Sequence, residues 1–306
     1  MTWLFITIGA YFLTAVNSIT DKFLLRKSIP NPLAYSFYVG IFSAFVVILI
    51  PFFGLVWPGF FNFFSALSVG IVYLFALIAF FYALKKDEAS RVVPLVGAVT
   101  PVFILIISHI FSVESFSLND VFVFVFLVGG GFLISYKKEA SCGIFEFKKN
   151  SCLRGLEMSV LASLFFAIFF VSAKYVFTYQ DFISGFIFTR LGSFAAALLL
   201  LLIPLYRKSI HKTTKKVNRG AGILFIFNKA LAGFAFLLVN YAIAVGGSPT
   251  LVNALEGTKY IFVLIIALVL SVKFPKILKE QISTHHLIQK GLAIALIFFG
   301  IFLLFE

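Results

Sequence analysis

The stretch Asn228–Tyr260, NKALAGFAFLLVNYAIAVGGSPTLVNALEGTKY, decides how the chain is read. It is apolar enough to cross a bilayer twice, with Gly247-Ser248-Pro249 near the division. Lys229, Asn240, Asn253, Glu256 and Lys259 nevertheless lie inside its apolar runs. An ionisable side chain at membrane depth is costly, and by default it marks a functional site.

The remainder of the chain points to the same surroundings. Of 306 residues, 61% are apolar and only 12% charged, with a mean hydropathy of +1.08. Soluble domains carry about 25% charged residues. Apolar runs of membrane-spanning length recur over residues 2–20, 33–54, 62–84, 90–112, 117–136, 154–177, 182–206, 220–245, 248–272 and 285–305. They are long and continuous and lack the dyad alternation of membrane barrels, so helices are expected. The N-terminus lacks the basic region and cleavage pattern of a signal peptide, so the first run is expected to be retained. The expected fold is an all-α integral membrane protein of ten transmembrane helices, with no separate soluble domain.

Ten runs divide into five plus five. Asp21-Lys22-Phe23 resembles Ala173-Lys174-Tyr175, Pro51 parallels Pro204, and Tyr82-Ala83 parallels Tyr241-Ala242. Repeats with an odd number of spans lie in opposite orientations, a common transporter design. Residues 1–136 and 154–306 are therefore expected to form two inverted five-helix repeats, joined by a cytoplasmic linker at 137–153. Charge offers an independent check. Connections after the odd-numbered runs carry Arg26, Lys27, Lys85, Lys86, Arg207, Lys208 and other basic residues, whereas those after runs two, four, six and eight carry none. The positive-inside rule puts the basic side in the cytoplasm and both termini outside, in the plasma membrane for preference. The net charge of +13 then reflects orientation, and nucleic-acid binding is not expected.

Catalytic chemistry finds no foothold. Cys142 and Cys152 form no ligand cluster or redox motif. There is no Ser-His-Asp arrangement and no phosphate-cradling loop, so neither metal nor cofactor is expected.

Phe81-Tyr82-Ala83-Leu84, Glu88-Ala89-Ser90, Pro101 and Glu114 are echoed by Asn240-Tyr241-Ala242-Ile243 and Gly247-Ser248-Pro249, with Gly291 and Gly300 in the last run. In these motifs the chain resembles the EamA-type members of the drug/metabolite transporter superfamily over essentially its whole length. Lys259 and Val272 depart from the pattern, standing where the family favours a proline and a glutamate. Gly129-Gly130-Gly131 replaces a spaced glycine pair. The family usually keeps both termini in the cytoplasm, while the charges here point the other way. The resemblance implies a secondary transporter of small metabolites, often an exporter, working by alternating access without enzyme activity or cofactor.

Helix rise of about 1.5 Å per residue places Lys229, Arg190 and Glu256 roughly 12 Å inside their spans, with Lys259 a turn deeper. Facing lipid, each would cost at least about 2.5–3.5 kcal/mol, so an interior or water-filled position is expected. Asn253, Glu256 and Tyr260 share one helix face. Lys229, Gly233, Phe236 and Asn240 share another, where Gly233 is expected to admit a close approach. One carboxylate against three cations calls for an anionic or zwitterionic small-molecule substrate, held by arginine's fork and lysine's point charge. The expected binding residues are Arg190, Lys229, Asn240, Asn253, Glu256, Lys259 and Tyr260. Glu256 is also a candidate carrier of a coupling proton. The plainer alternative is that Glu256 and Lys259, three residues apart, simply pair with each other. Lys174 is expected to snorkel. From a different functional class, a flippase or membrane-embedded enzyme acting on a phosphorylated lipid could use the same cations, though no general base presents itself. The sequence sets no oligomeric state.

Overall fold

A computed structural model describes residues 2–27, 31–86, 89–111, 117–135, 150–214, 219–245, 248–259, 261–263, 265–266 and 284–303. Among the described residues there are helices and no strands. In chain order they are α1 (Thr2–Lys27), α2 (Pro32–Phe53), α3 (Phe60–Lys86), α4 (Ala89–Ile110), α5 (Leu118–Ser135), α6 (Asn150–Tyr179) and α7 (Phe182–Leu200). These are followed by α8 (Pro204–Thr214), α9 (Arg219–Ala244), α10 (Pro249–Ala254) and α11 (Thr284–Leu303).

Among the described residues, five helices are long and apolar enough to cross a membrane: Pro32–Phe53, Phe60–Lys86, Gly155–Tyr179, Phe182–Leu200 and Gly222–Ala244. Shorter apolar runs stand beside them at Thr2–Ser18, Leu95–Ile110, Leu118–Leu133 and Gly291–Leu303. Phe52, Phe60, Phe61 and Leu118 are almost fully exposed, a skin suited to lipid and not to water. The protein is an integral membrane protein.

Local chemistry sets the helix ends. Asn31 accepts a hydrogen bond from the Leu33 N–H ahead of Pro32, and Ser248 accepts one from Leu251 ahead of Pro249. Both are side-chain N-caps with proline at the first helical position, where its missing N–H costs nothing. Asp181 caps α7 through the Ser184 N–H. Within α2, residues Ser43–Leu49 tighten into a 3-10 helix. Pro51 cannot donate to the Val47 carbonyl, and the Ile50 N–H takes that acceptor instead. Gly54 then ends the helix at φ +76°, a conformation that favours glycine.

Packing centres on α3, which lies against α6 on one side and α7 on the other. A Cβ on Gly70 would meet the Thr189 carbonyl oxygen, and one on Gly192 would meet that of Leu67, so α3 and α7 touch backbone to backbone. The Ser193 hydroxyl donates to the Gly70 carbonyl at 2.7 Å across this contact. Elsewhere α1 packs on α9, α4 on α6, and α5 on α11.

Hydrogen bonds sort the connections into two ends. At one end the Val56 N–H donates to Ser184 and Gln180 donates to the Asn62 carbonyl. Asn119 donates to the Leu303 carbonyl. At the other, Asn31 meets Ser209 and Gln289 donates to the Leu133 carbonyl. Lys85 and Lys86 close α3 toward this second, basic end.

Two expectations change. The run 248–272 is not one uninterrupted helix, because α10 gives way to a turn at Leu255–Glu256. The connection beginning at Arg207 contains a helix, α8. The expected linker lies outside the described residues up to 149, and α6 already begins at Asn150.

Gly70→Ala should destabilise the protein by about 1–3 kcal/mol or more, since a rigid backbone opposes the added methyl. Gly233→Ala, where nothing lies within 4 Å, should be neutral or stabilising by up to about 1 kcal/mol. Thermal unfolding of the purified variants in one detergent would show the contrast, and equal midpoints would contradict the packing.

Candidate functional site

Arg190 lies in α7 with its side chain turned inward, 9% exposed. Its guanidinium carbon sits 3.7 Å from the ring centre of Phe236, 4.7 Å from Tyr73 and 5.5 Å from Phe186. The rings come from α9, α3 and α7, so one side chain joins three helices. No ion pair to Arg190 exists among the described residues. Cation–π contacts contribute about 2 kcal/mol when desolvated, against a burial penalty of several kcal/mol for the ion. The rings therefore hold the guanidinium in place while leaving much of its demand for an anion unmet. Stacking occupies the flat face of the group and leaves its N–H edge able to meet a carboxylate or phosphate.

Lys229 lies half-buried in a second aromatic cluster, its ammonium 5.0 Å from the Tyr35 ring centre and 5.6 Å from that of Phe225. Tyr35 is fully buried and rests against Phe81, and Phe225 also touches Tyr38 and Phe42. Phe225, Lys229 and Phe236 recur at helical spacing along α9, so Lys229 stands roughly 10 Å from Phe236 along the axis. Two cationic, ring-lined positions thus border α9, Lys229 standing on it and Arg190 reaching its Phe236 from α7.

The break after α10 explains a third group. At the turn, the Glu256 N–H bonds the Asn253 carbonyl, Thr258 bonds Leu255, and Lys259 bonds Glu256, each three residues back. A continuous α-helix would have sent the Glu256 N–H to Val252. The Val252 carbonyl instead accepts from the Tyr11 hydroxyl of α1 at 3.0 Å. Gly257 lies against the backbone of Gly131, so α5 meets the turn at van der Waals distance. Glu256 and Lys259 form a salt bridge with each other. Lys259 is 7% exposed, and its partner is more open.

The expected residues thus fall into separate groups. The structure brings Glu256 and Lys259 together, while Arg190 and Lys229 occupy different aromatic clusters. Asn253 donates to the Pro249 carbonyl and Asn240 to that of Phe236, each within its own helix. Asn240 keeps a buried side-chain oxygen with no hydrogen bond from the described residues. Tyr260 lies outside the described residues. Gly233 is exposed with nothing within 4 Å, so the close approach expected there occurs at Gly70 and Gly192 instead. Lys174 does not snorkel: it donates to the Ile243 carbonyl at 2.8 Å, capping the last turn of α9. Sequence reasoning missed Tyr73, Phe186, Tyr35 and Tyr11. Nothing but aromatic recurrence at helical spacing could have singled them out.

Glu256→Gln should destabilise by about 1–3 kcal/mol, because it leaves the buried Lys259 ammonium without its carboxylate. The double variant Glu256→Gln/Lys259→Met should recover most of that loss. Denaturation of these proteins, the wild type and the single variant Lys259→Met as a double-mutant cycle measures the coupling, and additive effects would deny the pairing.

Residues 1–136 match the EamA-like transporter family. No curated protein matches the chain. There are 22 matching chains of solved structure. One, described as "Crystal structure of protein", superposes with TM-score 0.63 over 97% of this chain and 92% of that one, at 16% identity, a likeness of fold alone. The EamA family suggests a membrane transporter. Over its first 136 residues the chain is similar to the EamA-like transporter family, part of the drug/metabolite transporter superfamily.

Proposed function

We propose that the protein is a secondary transporter that exports a small anionic or zwitterionic metabolite, with Arg190 as the anion's principal contact. The observation carrying this reading is a buried guanidinium held by the faces of Phe236, Tyr73 and Phe186, with no ion pair among the described residues. An arriving carboxylate or phosphate would supply the charge the rings lack. It would also compete with Phe236 for the cation and so loosen α9 from α3 and α7. Lys229, farther along α9 toward the basic end, gives the anion a second cationic stop. Glu256 and Lys259 pair with each other, so the reading rests on Arg190.

The reading includes ten spans in two inverted repeats, cycling by alternating access with both termini outside. Gly70 and Lys229 stand at corresponding places in the two repeats. At Gly70 the helices close backbone to backbone, whereas at Lys229 the α9 helix reaches α2 through side chains. That inequality is what a protein closed on one side would present. The plasma membrane is the proposed location, and a proton on Glu256 the proposed coupling ion. A lipid-phosphate flippase fits less well. A groove of about 620 Å³ between α3 and α6, walled by Phe60, Phe64, Ser68, Ser172 and Tyr175, has no charged lining to receive a phosphate.

A panel of carboxylates and phosphates, scored by thermal shift and then by flux in proteoliposomes, tests the proposal. One or more should stabilise the protein, and Arg190→Gln should weaken that binding about 10–100-fold. Arg190→Lys should recover part of it. Flux that is unchanged in Arg190→Gln, or a panel with no active anion, would defeat the assignment.

A further inference from the structure

The helix α8, PLYRKSIHKTT, has no part in the site described above. It follows α7 after a turn at Leu201–Ile203, at the basic end of the bundle. At 3.6 residues per turn, Leu205, Tyr206, Ser209 and Ile210 share one half of its circumference. Arg207, Lys208 and His211 share the other. The structure follows this division. Ile210 is 4% exposed, α8 packs on α2, and Ser209 accepts a hydrogen bond from Asn31 at 2.6 Å. Arg207, Lys208 and His211 are exposed. Leu205 at 73% and Leu202 at 75% are also bare, with nothing among the described residues covering them.

Exposed leucines beside exposed cations, directly after a membrane-spanning helix, suit the boundary between acyl chains and headgroups. We infer that α8 is an interfacial helix that binds the anionic phospholipids of the leaflet at the basic end. Leu202 and Leu205 enter the acyl region, and Arg207 and Lys208 meet lipid phosphates. The charge of α8 is complementary to anionic lipid, and its apolar half continues the lipid-facing surface of α7. An acidic protein would satisfy the cations but not the leucines. The Asn31–Ser209 bond ties α8 to the cap of α2, and Tyr35, one turn into α2, faces Lys229. Lipid charge therefore has a mechanical route to the interior, whatever the transported species.

Native mass spectrometry of the full chain, titrated with phosphatidylglycerol and with phosphatidylcholine, tests this without reference to transport. The wild type should retain phosphatidylglycerol preferentially. Arg207→Gln/Lys208→Gln should weaken that binding roughly 25-fold, about five-fold for each basic residue removed near the surface. Leu205→Glu should weaken it too, while Lys85→Gln/Lys86→Gln, at the same end but off the amphipathic helix, should have a smaller effect. Equal retention of the two lipids would overturn the inference, as would a preference untouched by the α8 substitutions. So would a preference lost equally in the Lys85/Lys86 variant, which would mark it as a property of net charge.

Discussion

The backbone contact between α3 and α7 governs the interior. Gly70 and Gly192 have no side chains to hold the helices apart, so their main chains meet. Tyr73 follows Gly70 by three residues and Arg190 precedes Gly192 by two, so the same approach lays the phenol ring against the guanidinium. The Ser193 hydroxyl bonds the Gly70 carbonyl within the contact. In lipid, helices gain little from burying apolar surface against each other, so close packing and interhelical hydrogen bonds must hold them. Here both occur within a turn of the buried cation.

Backbone accounting explains the rest of the core. A bilayer offers no water to an orphaned carbonyl, so each interruption of a helix needs a replacement partner. At Pro51 the tightened turn supplies it from the neighbouring residue. At the end of α9 it comes from Lys174. At the break after α10 it comes from Tyr11, on a helix from the opposite end of the chain. These three solutions draw on progressively more distant parts of the molecule, and only the first is local in sequence.

Much of this was legible in the residues, and the failures have physical reasons. Long apolar runs marked the helices, since a span must be about 20 residues whatever it packs on. Asn31-Pro32 and Ser248-Pro249 carry their caps in the sequence itself. The i, i+3 spacing of Glu256 and Lys259 already contained their pairing as the plainer alternative. The break at Leu255–Glu256 was not visible, because no proline marks it and Gly257 serves packing against Gly131. The ring cage around Arg190 was equally hidden among 43 phenylalanines, since tertiary position alone separates a cage residue from one facing lipid. Gly233 looked like a packing glycine by position on its helix, and only the structure shows its face uncovered. The connection beginning at Arg207 read as basic loop because its charges outnumber its apolar residues, although their alternation around a helix was present.

The Tyr11 hydroxyl reaches across 241 residues to the Val252 carbonyl. A chain made from its N-terminus places α1 in the membrane long before α10 exists. Until then the Val252 carbonyl to which Tyr11 donates is missing, and α1 lacks the surface of α9 on which it packs. The α3–α6 pairing crosses the halves in the same way. Neither half can reach its final arrangement alone, so assembly closes only when the last third of the chain has been inserted. The first helix then locks only after α9 and α10 are in place, and α5 waits longer still for α11.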